Sequence, residues 1–447
     1  MSSAAPVAGS SRPELGLWMA TALVLGNIVG SGLFLLPSAL APYGGAALLG
    51  WGVSLSGAML LALVFARLGL QRPARGGPPA YARMAFGDGA GFMVAWSYWI
   101  SNACGNAAIA IAFAGYFDSL LPVRMASSVL VPLTAVAALA LCTLANLRGM
   151  RSAGAVQLIT TVLKFLPLLL IAIAGVVYFE PSAWHPFNRS TQGLAGVTTT
   201  TIALTMWAFF GIECATVAGA DIRDPHRTIP RATLLGTALA GVGTILACMA
   251  VVGLVPGKQL AASGAPFADA ASALWGPVAG MMFAVVASVS CIGALNGWVL
   301  VQGQVGRGAA EDGLFPRVFA RCNARGAPAA GLLISAAISG ALVLANFQKH
   351  LVALFTFAIL LSTATTLLPY LACSAAALRL HGGRRSRLQA TMQTVIALLA
   401  LAFSVWALIG TGAEALGWGA LLLLAGLPVY LWRHRRQRAP AKIGGAA

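Results

Sequence analysis

The sequence predicts an all-α polytopic membrane protein of about twelve transmembrane helices, arranged as a 5+5 inverted repeat with discontinuous helices 1 and 6. Three observations carry this expectation. The chain is 59% hydrophobic and only 9% charged over 447 residues, with a mean hydropathy of +0.85, whereas a soluble domain carries about 25% charged residues. Its apolar runs are long rather than short and alternating, which sets a β-barrel aside. Two runs, one opening each half of the chain, are interrupted by small or charged residues, and that pairing points to an inverted-repeat transporter with its site between the repeats.

Spans are expected at 15–42, 45–70, 89–118, 127–147, 155–179, 196–219, 232–254, 275–305, 328–346, 350–378, 389–410 and 415–432. The organisation is then a tail (1–14), a membrane domain (15–432) and a second tail (433–447). Repeat 1 covers 15–179, repeat 2 covers 196–378, and two further helices cover 389–432. The apolar run after Glu14 is longer than a signal-peptide core, so the first span is expected to stay. No soluble domain fits between the spans.

The first span carries Gly26-Asn27-Ile28-Val29-Gly30-Ser31-Gly32. Each glycine weakens a helix by about 1 kcal/mol relative to alanine. Non-helical backbone survives at membrane depth only where protein buries it or where it lines a polar cavity. Free backbone groups there could hold a substrate; the alternative is that small residues let a neighbouring helix approach closely. In the third span, Asn102 and Asn106 lie four apart on one helical face, with Tyr98 four before Asn102. Their amides serve either interhelical hydrogen bonds or substrate. Lys164, deep in the fifth span, either exchanges protons or stands in for a bound cation, or else it holds carbonyls of the broken first helix.

The sixth span repeats the irregularity in Trp207-Ala208-Phe209-Phe210-Gly211-Ile212-Glu213. A carboxylate at bilayer depth costs about 2.5–3.5 kcal/mol on insertion scales, and such acids usually face a cavity or proton path. The stretch Asp221 to Arg231, with its Asp-Pro and Ile-Pro pairs, reads as a loop. Trp298 sits beside Gly297 in the middle of the eighth span, where it either packs or offers a ring to a cation. Ser362 and Tyr370 in the tenth span lie eight apart on one face.

The net charge of +17 does not point to nucleic acid. Basic residues gather at Arg67 to Arg83, Arg148 and Arg151, Arg223 to Arg231, Arg307 to Arg325, Arg379 to Arg387, and Arg433 to Lys442, in every second connection. The opposite connections hold Arg124, Arg189, Lys258 and Lys349. This positive-inside asymmetry places both termini in the cytoplasm. The seven cysteines show neither a disulfide framework nor metal-ligand spacing, so no metal and no cofactor is expected. An intramembrane enzyme would need a nucleophile–base pair or a metal constellation at depth. His185, His226, His350, His381 and His434 all fall in loops, at span ends or in the tail, so no enzyme is expected.

Gly26 to Pro37, Gly76-Gly77-Pro78-Pro79-Ala80-Tyr81-Ala82, Trp207 to Glu213, and Glu311-Asp312-Gly313-Leu314-Phe315-Pro316 together resemble the amino acid–polyamine–organocation superfamily. Within it the chain is most similar to the basic amino acid/polyamine antiporters, the bacterial arginine/agmatine antiporters in particular. The resemblance implies a LeuT-like fold, often a homodimer in the antiporters, embedded in the lipid of the bacterial inner (plasma) membrane. It implies that Ser31 and Gly32 hold a substrate carboxylate and that carbonyls near Trp207 and Phe210 take the α-amino group. Trp298 would stack on the distal part of the substrate, with Ser101, Asn102, Asn106 and Ser362 nearby. Trp207 would close as a gate, and Tyr98, Glu213 and Tyr370 would form an outer gating group. Asn102 and Lys164 depart from the arginine/agmatine pattern; a lysine at that place resembles proton-dependent members of the superfamily. The expected function is exchange of a basic amino acid and its amine by alternating access. The alternative is a proton-coupled permease of neutral or broad specificity that uses Lys164.

Overall fold

The computed structural model describes residues 16–29, 31–71, 77–122, 130–148, 165–213, 222–346, 348–380 and 386–438, which are helical almost throughout, with no strand among them. Among the described residues, eight helical segments are long and apolar enough to cross a bilayer, and four further apolar helices are shorter. Span 2 (Ala47–Gln71), span 3 (Asp88–Ser119), span 4 (Leu130–Leu147), span 8 (Pro277–Glu311), span 10 (Leu351–Arg379) and span 11 (Arg387–Gly410) are each continuous. Span 9 (Ala329–Ala345) is shorter, and span 5 is described from Phe165 to Val177.

Spans 1 and 6 are short because they break. Span 1 is helical over Leu17–Ile28, then resumes as a 3-10 turn (Ser31–Leu35) and a short helix (Leu36–Leu40). Span 6 is helical over Leu194–Met206, tightens to a 3-10 turn at Trp207–Phe209, and turns extended at Phe210 (φ −67°, ψ 139°). The interruption expected around Gly26–Gly32 is therefore a true helix end and not merely a close-packing face.

The packing carries the signature of a two-fold repeat. Span 1 packs on span 7 as span 6 packs on span 2, and span 3 meets span 9 as span 8 meets span 4. The pairs 2–7, 3–8 and 4–9 are also in contact, so exchanging span n with span n+5 leaves this pattern unchanged. Local geometry repeats as well. A short helix, Pro78–Phe86, leads into span 3 through Gly87 (φ 89°, ψ −177°). Another, Pro266–Trp275, leads into span 8 through Gly276 (φ 87°, ψ 173°). The same left-handed corner thus turns the chain into the central helix of each half.

Two segments differ from the sequence expectation. Span 7 begins at Pro225, inside the stretch read as a loop, and runs to Leu254. Proline is preorganised for the first helical position, so Pro225 starts the helix rather than stopping it. Pro230 then removes one hydrogen bond within the second turn. The last span is two helices, Gly412–Leu424 and Gly426–Arg438, hinged at Ala425. There a side chain at Gly426 would meet the Trp96 indole at 2.7 Å.

Helices in lipid associate through small residues and side-chain hydrogen bonds rather than a hydrophobic drive. Ser97 Oγ donates to the Thr365 carbonyl (2.6 Å), Ser362 Oγ to the Ser101 carbonyl (2.9 Å) and Ser339 Oγ to the Ala103 carbonyl (2.8 Å). These bonds fix span 3 against spans 9 and 10. At the other end of span 3, the Tyr116 hydroxyl donates to the Phe34 carbonyl (2.7 Å) and accepts from the Phe267 N–H (3.2 Å). That N–H belongs to the first turn of its helix, where no intrahelical acceptor exists. Ser38 Oγ adds a bond to the Ser263 carbonyl (2.9 Å). The second half of span 1 (31–40) is thereby tied to the connection between spans 7 and 8. Tyr116→Phe leaves two buried backbone groups without a partner, at about 1–3 kcal/mol each. It is expected to lower the melting temperature in detergent by several degrees; an unchanged melting curve would contradict the clamp.

Candidate functional site

The broken helices meet. Asn27, one residue before the end of helical span 1, packs on Gly211, and a Cβ at Gly211 would lie 3.0 Å from the Asn27 Cβ. Gly211 has φ +107°, a conformation that L side chains rarely adopt, so the turn at this contact depends on glycine. The first half of each broken span ends here at its C-terminus, at Ile28 and at Phe209. A helix C-terminus presents unsatisfied carbonyls and a partial negative charge. Two such ends converge on one point.

Beside that point lies a cavity between spans 1, 3, 6, 8 and 10, in which the space open to the centre of a water molecule is about 50 Å3. That is room for a few waters, hence for a slim substrate. Span 1 contributes Asn27 and Ile28; span 3 contributes Tyr98, Ser101, Asn102 and Asn106. Trp207, Phe210 and Glu213 come from the span 6 break, Trp298 from span 8 and Ser362 from span 10. The sequence singled out each of these eleven residues, and the fold brings them to one wall. Gly30, Lys164 and the side chains of Ser31 and Gly32 lie outside the described residues.

Glu213 is 1% exposed and joins three spans. Its Oε1 accepts from the Tyr98 hydroxyl (2.6 Å) and its Oε2 from the Tyr370 hydroxyl (2.7 Å). Tyr370 stands behind the cavity wall, edge-on to Phe210 (5.9 Å between ring centroids, 86°) and to Phe65 (5.2 Å, 72°). Hydrogen bonds to a carboxylate are roughly twice as strong as neutral ones, so this bridge holds the break in span 6 against spans 3 and 10. Trp207 packs edge-on to Phe355 (6.0 Å, 83°).

The two asparagines are held differently. Asn102 Nδ2 donates back to the Tyr98 carbonyl one turn earlier (2.8 Å). Asn106 Nδ2 instead crosses to span 8, donating to Gln302 Oε1 (2.7 Å). Asn106 Oδ1 is buried and has no hydrogen-bond partner. Among the described residues that line the cavity there is one carboxylate, Glu213, and no Lys, Arg or His. With two helix C-termini and a buried, unpartnered amide oxygen added, the cavity's electrostatics favour a cation.

Sequence reading missed Leu33, Gly105, Ile109, Ala208 and Thr366 among the lining residues, and Gln302 behind them. Thr366 lies midway between Ser362 and Tyr370 on the same helical face, and that spacing would have found it. Gly105 faces Ser362: a Cβ there would sit 3.4 Å from Ser362 Oγ, in ordinary van der Waals contact. Gln302 lies one turn beyond Trp298, on its face of span 8.

A sequence profile of the amino acid permease family matches residues 15–425. The putrescine transporter PotE of Escherichia coli strain K12 is 31% identical over 422 residues, covering 93% of this chain and 95% of that protein. The PotE of Haemophilus influenzae gives the same identity over 93% of this chain and 96% of its own. The cadaverine/lysine antiporter of Escherichia coli strain K12 is 37% identical over 339 residues, 75% of each chain.

Proposed function

The chain belongs to the amino acid permease family, a family of membrane transporters rather than enzymes, and from that premise we propose that it exchanges cationic amino acids and amines by alternating access. The observation that carries the reading is the cavity's sign: Glu213, an unpartnered Asn106 Oδ1 and two helix C-termini, with no basic side chain on the described wall. A cationic head meets acceptors and the aromatic faces of Trp207, Phe210 and Trp298, which suit an ammonium or guanidinium. The start of the outer half of span 1 at Ser31 is a helix N-terminus, which suits a carboxylate where the substrate has one.

A diamine lacks that carboxylate and an amino acid has it, so a site with one cationic and one optional anionic end suits exchange between the two. The similar proteins are named for putrescine and for cadaverine and lysine. These names widen the arginine/agmatine pairing of the motifs to linear cationic substrates in general. The basic connections support cytoplasmic termini in an inner (plasma) membrane.

The test is counterflow in proteoliposomes loaded with lysine, arginine or putrescine. Labelled putrescine, cadaverine, lysine, arginine and agmatine are expected to enter in preference to leucine, and only against internal substrate. Preference for leucine overturns the cationic reading. Uptake driven by an imposed pH gradient into empty vesicles overturns exchange in favour of a proton-coupled permease.

A further inference from the structure

We infer that Gln302 in span 8, outside the cavity wall, is a positioning residue that sets selectivity for cations by fixing which way the Asn106 amide faces. The inference rests on the cationic reading of the cavity. Gln302 is 1% exposed and makes two hydrogen bonds to span 3. Its Nε2 donates to the Trp99 carbonyl (3.2 Å), and its Oε1 accepts from Asn106 Nδ2 (2.7 Å).

The order of these contacts is forced. A backbone carbonyl only accepts, so the end of the Gln302 amide that faces Trp99 must be the NH2 group. The carbonyl end therefore faces Asn106, and Asn106 must answer with its own NH2. The Asn106 oxygen is left over, buried, without a partner, on a residue that lines the cavity. A polarity that begins at a main-chain carbonyl is thus passed through two amides to a residue of the cavity wall.

An amide free to rotate by half a turn would offer either an acceptor or a donor. Locked by Gln302, Asn106 keeps its NH2 turned to span 8 and its oxygen as the end without a partner. A substrate bearing an N–H donor at this place satisfies it, whereas an apolar end leaves a buried oxygen unpaired, the kind of mismatch that discriminates strongly between ligands. Trp298 and Gln302 lie four apart on span 8, so the helical face that presents the aromatic ring to the cavity also carries the lock.

The experiment measures putrescine KM and Vmax for the exchanger in proteoliposomes, with inhibition by leucine as the neutral comparison. The variants are Gln302→Met, Gln302→Ser, Asn106→Leu and the double variant Asn106→Leu/Gln302→Met. Wild-type protein that exchanges no amine defeats the cationic reading itself, before any variant is compared. Given wild-type exchange, Gln302→Met is expected to raise the putrescine KM about tenfold, the scale of one buried hydrogen bond. Vmax and the inhibition constant of leucine should stay near wild type, so that selectivity for the cation falls. The double variant should match Asn106→Leu alone, because Gln302 acts through Asn106. Gln302→Ser, which also removes the lock and is smaller, carries the same expectation if the methionine variant is recovered only as aggregate. Equal weakening of putrescine and leucine, an unchanged putrescine KM, or full additivity with Asn106→Leu overturns the inference.

Discussion

Replacing Glu213 by glutamine is expected to raise the KM for putrescine or lysine exchange at least tenfold while leaving the melting temperature in detergent close to wild type. Glutamine is nearly isosteric and keeps a bridge between the two tyrosines. Its oxygen accepts from one phenol, and its NH2 donates to the other phenolic oxygen, which can accept. The links from the span 6 break to Tyr98 and Tyr370, now 2.6 and 2.7 Å long, are weakened but not cut. The charge is gone, however. A cation about 5 Å from a carboxylate gains about 3 kcal/mol at an effective dielectric constant of about 20, worth roughly a hundredfold in affinity. Glu213→Ala removes charge and bridge together and is expected to lower both transport and thermal stability. Comparing the two variants separates the roles: a glutamine variant with wild-type KM for cations and a failing alanine variant would make Glu213 a brace only.

The membrane class and the position of both breaks were legible because they rest on local chemistry that the bilayer punishes. A glycine cluster in an apolar run and a lone carboxylate at depth each demand an explanation within a few residues. Asn102, Asn106, Trp298 and Ser362 were legible for the same reason, as polar or interfacial residues away from a span end. Pro225 misled because proline marks a helix start as readily as a stop, and only the chain's path distinguishes the two. Gln302 was invisible for a different reason. It lies near the end of span 8, where a polar residue needs no account, and its partners Trp99 and Asn106 are about two hundred positions away in the sequence. Local pattern locates the wall of the cavity; the second layer, which sets the wall's polarity, exists only in the packing of span 3 on span 8.

Gly211→Ala is the second large effect expected, and it acts on the join between the two repeats rather than on any substrate contact. Two costs fall on the same atom. The backbone at φ +107° is strained for an L residue, at about 1–3 kcal/mol. The new methyl would also lie 3.0 Å from the Asn27 Cβ and 3.2 Å from its carbonyl carbon, so one broken helix must retreat from the other by a few tenths of an ångström. Asn27, one residue before its helix ends, has its side chain bonded back to the Leu23 carbonyl (2.8 Å), which leaves the backbone to move rather than the side chain. Exchange is expected to fall at least tenfold, with a drop of several degrees in melting temperature. Asn27→Gly removes the 3.0 Å contact but leaves the strained φ and the 3.2 Å approach to the Asn27 carbonyl carbon, and carries its own helix cost of about 1 kcal/mol. Gly211→Ala is therefore expected to cost less stability in the Asn27→Gly background than in the wild type, and that difference measures the side-chain contact. An equal cost in both backgrounds would place the whole effect in the backbone. A Gly211→Ala protein with wild-type exchange would mean that the two breaks can part without disturbing transport, against the alternating-access scheme built on their meeting.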